Sequence, residues 1–343
     1  MKWLVIGAGP AGIAAVGKLI DQKVDPKSIG WIDPEFKVGD LGKRWNKVSS
    51  NTQVDLFIRF LKDCKAFEYH KRPGDFPIDS FDPKETCLLE AIAEPLQWVT
   101  DHLRAKVHSF EDFAMALNLK NNRWEVKTKH KRHQAENVIL AIGSEPKTLT
   151  HSGREIIPMD VALNPEKLGE VVSSSHTIGV FGASHSAVLI LASLEKLKVK
   201  KVINFYRSPH TYAVPMGDWI LFDNTGLKGY AATWAKKYLD GEHPPRLKRL
   251  LTTDHTYEEA LSECDKVIHA VGFERRQVPV LEQYISMEYN DKTGIIAPGL
   301  FGFGIAFPEA QYDPLMNLEY RVGLWKFMDY LNKMMPLWMT YSN

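Results

Sequence analysis

A short apolar strand that runs into Gly-x-Gly-x-x-Gly and emerges as an apolar helix can begin very few folds, and this chain opens with one. Residues 2–6 form the apolar run, residues 7–12 read Gly-Ala-Gly-Pro-Ala-Gly, and residues 11–20 place Ala, Val, Leu and Ile at helical spacing. Gly7 allows the tight turn, Gly9 lets the backbone approach a pyrophosphate, and Gly12 lets the helix pack closely on the strand. Pro10 and Ala11 open the helix, whose first N–H groups would face that anion. Residues 29–32 form a second strand ending at Asp33 and Pro34, which completes a βαβ unit and implies a parallel sheet. Asp33, 26 positions after Gly7, is the expected acceptor for adenosine ribose hydroxyls, with Glu35 as its competitor.

The same pattern recurs in weaker form. Residues 177–181 form an apolar strand, followed by Gly182-Ala183-Ser184-His185-Ser186-Ala187, an apolar helix to Leu197 and a strand at 202–206. Ser184 and Ala187 stand where the second and third glycines would be. Ala serves helix packing there, whereas Ser crowds a pyrophosphate. Ser184 and Ser186 nevertheless lie in the turn as candidate cofactor contacts, and His185 between them could reach a nicotinamide. Arg207 ends the second strand where an NAD site would put a carboxylate; a cation there suits a 2′-phosphate and argues for NADPH over NADH.

Between the two turns, residues 116–120, 123–129 and 136–142 read as a three-stranded β-meander. The basic run 127–133 is expected to be its solvated hairpin tip. Residues 57–95 read as irregular, and the apolar spacing over 312–335 predicts one long closing helix.

Composition narrows the function. With 43 Lys and Arg against 42 Asp and Glu, the formal charge of +1 offers no field for nucleic acid. No apolar run approaches the roughly 18 residues of a membrane span, and the first apolar stretch enters a glycine turn without the core and cleavage site of a signal peptide. A cytoplasmic protein acting on a small molecule is expected, its oligomeric state unspecified. Cys64, Cys87 and Cys264 are far apart, with no C-x-x-C pair and no metal-ligand spacing. His269, on an apolar strand, reads as a core histidine.

Two glycine turns 175 residues apart with a meander between them resemble the two-dinucleotide-binding-domain flavoproteins over nearly the whole chain. Val138-Ile139-Leu140-Ala141-Ile142-Gly143 is similar to the strand that leaves the family's flavin domain, and residues 266–273 to the strand that returns to it. Leu300-Phe301-Gly302-Phe303-Gly304-Ile305 resembles the terminal turn over the flavin's phosphate and ribityl chain. The aspartate that disulfide reductases carry after that last glycine is absent, as is their C-x-x-C. The flavin-containing monooxygenase branch is the nearest likeness: Gly42-Lys43-Arg44-Trp45 and Ser50-Asn51-Thr52 occupy the place of its Gly-x-Trp and following Asn, and Arg321 matches the end of its E-x-Q-x-R segment. That branch's F-x-G-x-x-x-H signature is missing, since residues 153–160 hold no His.

The resemblance implies an α/β protein of two Rossmann-like domains, the second inserted in the first: residues 1–150 and 275–343 for FAD, 151–274 for NAD(P)H. It implies an FAD- and NADPH-dependent oxidoreductase, monooxygenase-like. In it Gly7, Gly9, Pro10, Ala11, Gly12, Asp33, Glu35, Gly42, Arg44, Trp45, Ala141, Gly143, Gly304 and Ile305 would hold FAD. Gly182, Ser184, Ser186 and Arg207 would hold NADPH, and Asn51 would act at the flavin's reacting edge. A reductase of a quinone or other small acceptor, and a flavin-holding interaction protein, are the alternatives.

Overall fold

The computed structural model describes residues 1–150, 153–283 and 287–341. Strand Trp3–Ile6 is buried along its whole length and lies inside a six-stranded sheet. The order is Ile295–Ala297, Leu300–Gly302, Asn137–Leu140, Trp3–Ile6, Ile29–Asp33, His108–Glu111, all parallel except the first, edge strand. Such strands read as unbroken apolar runs because both faces are covered. Trp3, Val5 and Trp31 face helices Pro10–Asp21, Val54–Asp63, Glu90–Arg104 and Leu324–Thr340. Their neighbours Leu4, Ile6 and Ile32 face a four-stranded sheet, antiparallel except for its edge strand Val280–Leu281, that carries Leu117, Trp124 and Val126. The two-residue period of a strand thus sorts alternate side chains into two cores.

A second, five-stranded parallel sheet takes all its strands from between residues 155 and 269, in the order Glu155–Ile156, Lys266–His269, Thr177–Phe181, Lys201–Tyr206, Leu247–Leu251. Helices His185–Lys196 and Gly229–Tyr238 cover one face and Tyr257–Ser262 the other. The two connections between the sheets run side by side, with Ser144–Pro146 pairing antiparallel to Phe273–Arg275. The fold is therefore α/β, two Rossmann-like sheets with a meander, the second interrupting the first.

Three expectations are corrected. The third meander strand is Arg132–Ala135, while Asn137–Leu140 belongs to the parallel sheet beside Trp3–Ile6. Residues 132–135, expected to lie at and after the hairpin tip, form that strand, and Glu136 separates it from Asn137–Leu140. Residues 57–95 are not irregular throughout, because they start in helix Val54–Asp63 and end in helix Glu90–Arg104. The closing helix begins at Leu324, and residues before it form a hairpin of Glu309–Tyr312 with Leu318–Arg321. Asp313 closes that hairpin by accepting from the N–H groups of Leu315 at 2.9 Å and Asn317 at 2.8 Å. Gly323, at φ +138, then separates hairpin from helix. Leu315 and Leu318, placed on the helix by spacing, are exposed on the hairpin.

Candidate active site

The first glycine turn can be tested by asking what a Cβ would meet. At Gly7 (φ +106) it would lie 2.2 Å from the Ala141 carbonyl oxygen, and at Gly12 it would lie 1.9 Å from that of Gly7. At Gly9 it would meet nothing within 4 Å. Gly7 and Gly12 are therefore demanded by the fold, and Gly9 leaves space free for something else. That space is part of a cleft of about 740 Å³, lined by Gly7, Gly9, Pro10 and Ala11. Gly9 is the N-cap of helix Pro10–Asp21 and Pro10 its first residue, so the free N–H groups of the first turn and the positive end of the helix dipole are directed to the cleft.

Asp33 closes the turn. Its Oδ2 accepts from Ala8 N–H at 2.7 Å and its Oδ1 from the N–H groups of Glu35 and Phe36 at 2.9 and 2.7 Å. Three of about four acceptor positions are filled, which leaves one for a ribose hydroxyl in the cleft it lines. Glu35 lines the cleft too, but its carboxylate is held by Lys43.

Trp45, Ala141, Gly143 and Ile305 also reach the cleft wall. Gly42, Arg44 and Gly304 lie outside that lining. A Cβ at Gly42 would strike the Lys37 carbonyl at 2.4 Å, and one at Gly304 (φ +82) the Ala11 Cβ at 2.6 Å, so both glycines serve packing. Arg44 is drawn off by Asp160 at 3.3 Å and Asp40 at 3.6 Å, with its guanidinium beside the Trp45 ring.

The second turn repeats the first despite its two missing glycines. Gly7 N–H donates to Ile32 O and Gly182 N–H to Phe205 O, both at 2.8 Å; a Cβ at Gly182 (φ +123) would lie 2.2 Å from the Ala270 carbonyl. Ser184 takes the backbone place of Gly9 in an extended conformation open to any residue, is exposed, and makes no capping bond. Arg207 is exposed at the end of its strand, away from the cleft wall.

His185 and Ser186 bring this second turn to the cleft. His185 Nε2 lies 2.8 Å from the Ser49 carbonyl and so donates to it, which leaves Nδ1 buried and without a partner among the described residues. Burial, its largest influence, holds the imidazole below its usual pKa. Asn51, on the same strand Ser49–Gln53, lines the cleft but spends its amide on the other sheet's chain. Its Nδ2 donates to Gly226 O at 3.2 Å, and its Oδ1 accepts from Lys228 N–H at 3.0 Å.

Sequence reasoning missed Arg276, which lines the cleft and pairs with Asp40 at 2.6 Å. Leu324 and Phe327, on the closing helix, supply further wall. Arg276, three residues beyond Phe273, had a signal in its place just after the returning strand. His269 is buried and accepts from Leu149 N–H at 3.2 Å. The three cysteines are buried and separate. Among the described residues, no helix is long and apolar enough to cross a membrane.

No family model matches the chain. The chain is 32% identical over 383 residues to Monooxygenase AgnR1 of Paecilomyces divaricatus, a match spanning 98% of this chain and 97% of that protein. This chain belongs to the two-dinucleotide-binding-domain flavoproteins, in the monooxygenase-like branch. Solved structures of such flavoproteins share the fold. The flavin-containing monooxygenase of Stenotrophomonas maltophilia superposes with a TM-score of 0.64 at 15% identity, covering 99% of this chain and 98% of that one. The thioredoxin reductase of Lactococcus lactis, in its FR conformation, gives 0.61 at 13% identity, covering 99% and 98%.

Proposed function

We propose that this flavoprotein is an FAD- and NADPH-dependent oxidoreductase, monooxygenase-like, with residues 1–150 and 275–343 holding FAD and 151–274 holding NADPH. The observation that carries this reading is that both dinucleotide turns reach one cleft, the first through Gly7, Gly9 and Pro10 and the second through His185 and Ser186, with His185 tied to the cleft strand Ser49–Gln53 by its 2.8 Å hydrogen bond to Ser49. Two cofactors seated on those turns would meet there.

The residues fit the flavin cofactor: a cradle at Gly9 that only a missing Cβ leaves open, a helix N-terminus for the pyrophosphate, and a spare acceptor on Asp33 for ribose. When bound, the flavin supplies the redox chemistry, taking hydride from the nicotinamide and passing electrons to oxygen or a small organic acceptor. The chain's own part is position and exclusion of water. Asn51 fixes strand Ser49–Gln53 against the 226–228 backbone, which holds the two cofactor walls in register, and its second amide hydrogen remains for the flavin's edge. His185, kept neutral and with Nδ1 unpartnered, offers an acceptor where the nicotinamide dinucleotide enters. Trp45, Phe57, Leu324 and Phe327 give the cleft an apolar wall, against which a small organic substrate loses its water.

Purified protein is expected to carry a flavin absorption spectrum and to consume oxygen with NADPH, faster when a substrate amine or sulfide is present. Oxygen uptake that no substrate changes, with full electron transfer to a quinone, would favour the reductase alternative.

A further inference from the structure

Near the carboxyl end of the second sheet, the partly buried cation of Arg249 has no counter-ion among the described residues. Asn204, completely buried, donates from Nδ2 to the carbonyls of Val180 at 3.0 Å and Gly182 at 2.8 Å. Its Oδ1 accepts from Arg249 Nε at 3.2 Å, across the register pair that joins strands Lys201–Tyr206 and Leu247–Leu251. One asparagine therefore couples the glycine turn to an arginine on the neighbouring strand.

The guanidinium lies over the Tyr206 ring, 4.5 Å from its centroid, and its Nη2 is buried without a hydrogen-bond partner. Asp240, which faces it from the end of helix Gly229–Tyr238, is taken by Tyr212 and His210 instead. Among the described residues Arg249 makes no ion pair, and burial, the largest influence, weakens its charged form more than nearby Tyr206, Asp240 and Tyr212 restore it. An arginine has five donors and no acceptor, in a planar fork that suits a phosphate.

Ligands of open parallel sheets bind outside the carboxyl ends of the strands, and the end of the second strand is where the adenosine ribose falls. We propose that Arg249 is a specificity-determining residue for the second turn's dinucleotide, its guanidinium receiving the 2′-phosphate that separates NADPH from NADH. The inference rests on the reading that the second turn holds this dinucleotide. Arg207, exposed at the end of the same strand as Tyr206, supplies a second, solvated cation. Arg249 is held by Asn204 and Tyr206 before the ligand arrives, so it loses less freedom on binding than an exposed side chain does.

Calorimetric titration of the purified protein with 2′,5′-ADP and with 5′-ADP tests this without any turnover. Wild type is expected to prefer 2′,5′-ADP by about ten- to a hundred-fold, the range of a charge-assisted contact. Arg249→Met keeps an apolar side chain near Tyr206 but no donors, and it should lose most of that preference with 5′-ADP affinity unchanged. Arg249→Lys keeps the charge without the fork and should lose at least about threefold, which serves should the Met variant fail to fold. Full preference in either folded variant overturns the proposal, as does a wild type that binds both nucleotides equally. A wild type that binds neither overturns the second-turn reading itself, and the role of Arg249 with it.

Discussion

Gly9 and Gly12 sit three residues apart in one turn, yet their replacement should fail in opposite ways. A Cβ on Gly12 would be 1.9 Å from the Gly7 oxygen and 2.8 Å from its carbon, both backbone atoms that cannot swing aside. Relief requires the helix to move off the strand, and overpacking of this kind costs roughly 1–3 kcal/mol. Gly7→Ala combines a similar overlap with a φ of +106, which adds about 1–2 kcal/mol for the left-handed backbone. Against a net stability of about 5–15 kcal/mol, both variants should lose several degrees of Tm with or without FAD. Gly9 has φ −73 and ψ 178 and meets nothing within 4 Å, so Gly9→Val suits the backbone and removes only a modest N-cap preference, about 1 kcal/mol or less. Its isopropyl group occupies the place of the pyrophosphate. Thermal unfolding of the apoproteins, with flavin content read by absorbance, separates these cases: Gly9→Val should fold as apoprotein and fail to take up FAD. Recovery of Gly9→Val with a full complement of FAD would refute the placement of the cofactor, and its failure to fold would refute the reading of open space.

Asn51→Ala removes two hydrogen bonds to the 226–228 backbone and should lower stability by about 1–3 kcal/mol; under the proposed role it also changes flavin reoxidation in a double-mixing experiment while leaving FAD bound. Arg207→Ala should weaken NADPH more than NADH in anaerobic stopped-flow reduction, and equal loss for both would remove it from the site. Burial keeps His185 neutral in the folded state, so the unfolded chain takes up a proton that the folded one refuses once the pH falls below the ordinary value of 6.5. Its contribution is constant above that pH and declines below it. Buried His133 behaves alike, so the comparison is with His185→Gln, whose Tm should fall less between pH 7 and 5 than that of wild type.

The parts of this protein that were legible in its sequence are those built by neighbours along the chain. Residues 2–12 specify strand, turn and helix within one stretch, and the second turn was readable for the same reason. Asn51 lines the cleft, but its partners lie 175 and 177 residues away, beyond any local signal. Arg44 reads with Gly42 and Trp45 as one cofactor segment; its ion pair with Asp160, from helix Met159–Ala162, likewise has no local signal. The tail failed for a different reason. A spacing of three and four suits a helix, but Asp313 turns the hairpin and Gly323 ends it, and that hairpin is stabilised through Glu319, which binds Asn224 from the other sheet's chain.

Anaerobic titration of the FAD-loaded protein with NADPH tests most directly whether the two turns serve one reaction. With both dinucleotides opening on the same cleft, about one equivalent of NADPH should bleach the flavin absorbance, and less NADPH than NADH should be needed for the same rate. A bound flavin that dithionite reduces but NADPH leaves oxidised would contradict the account.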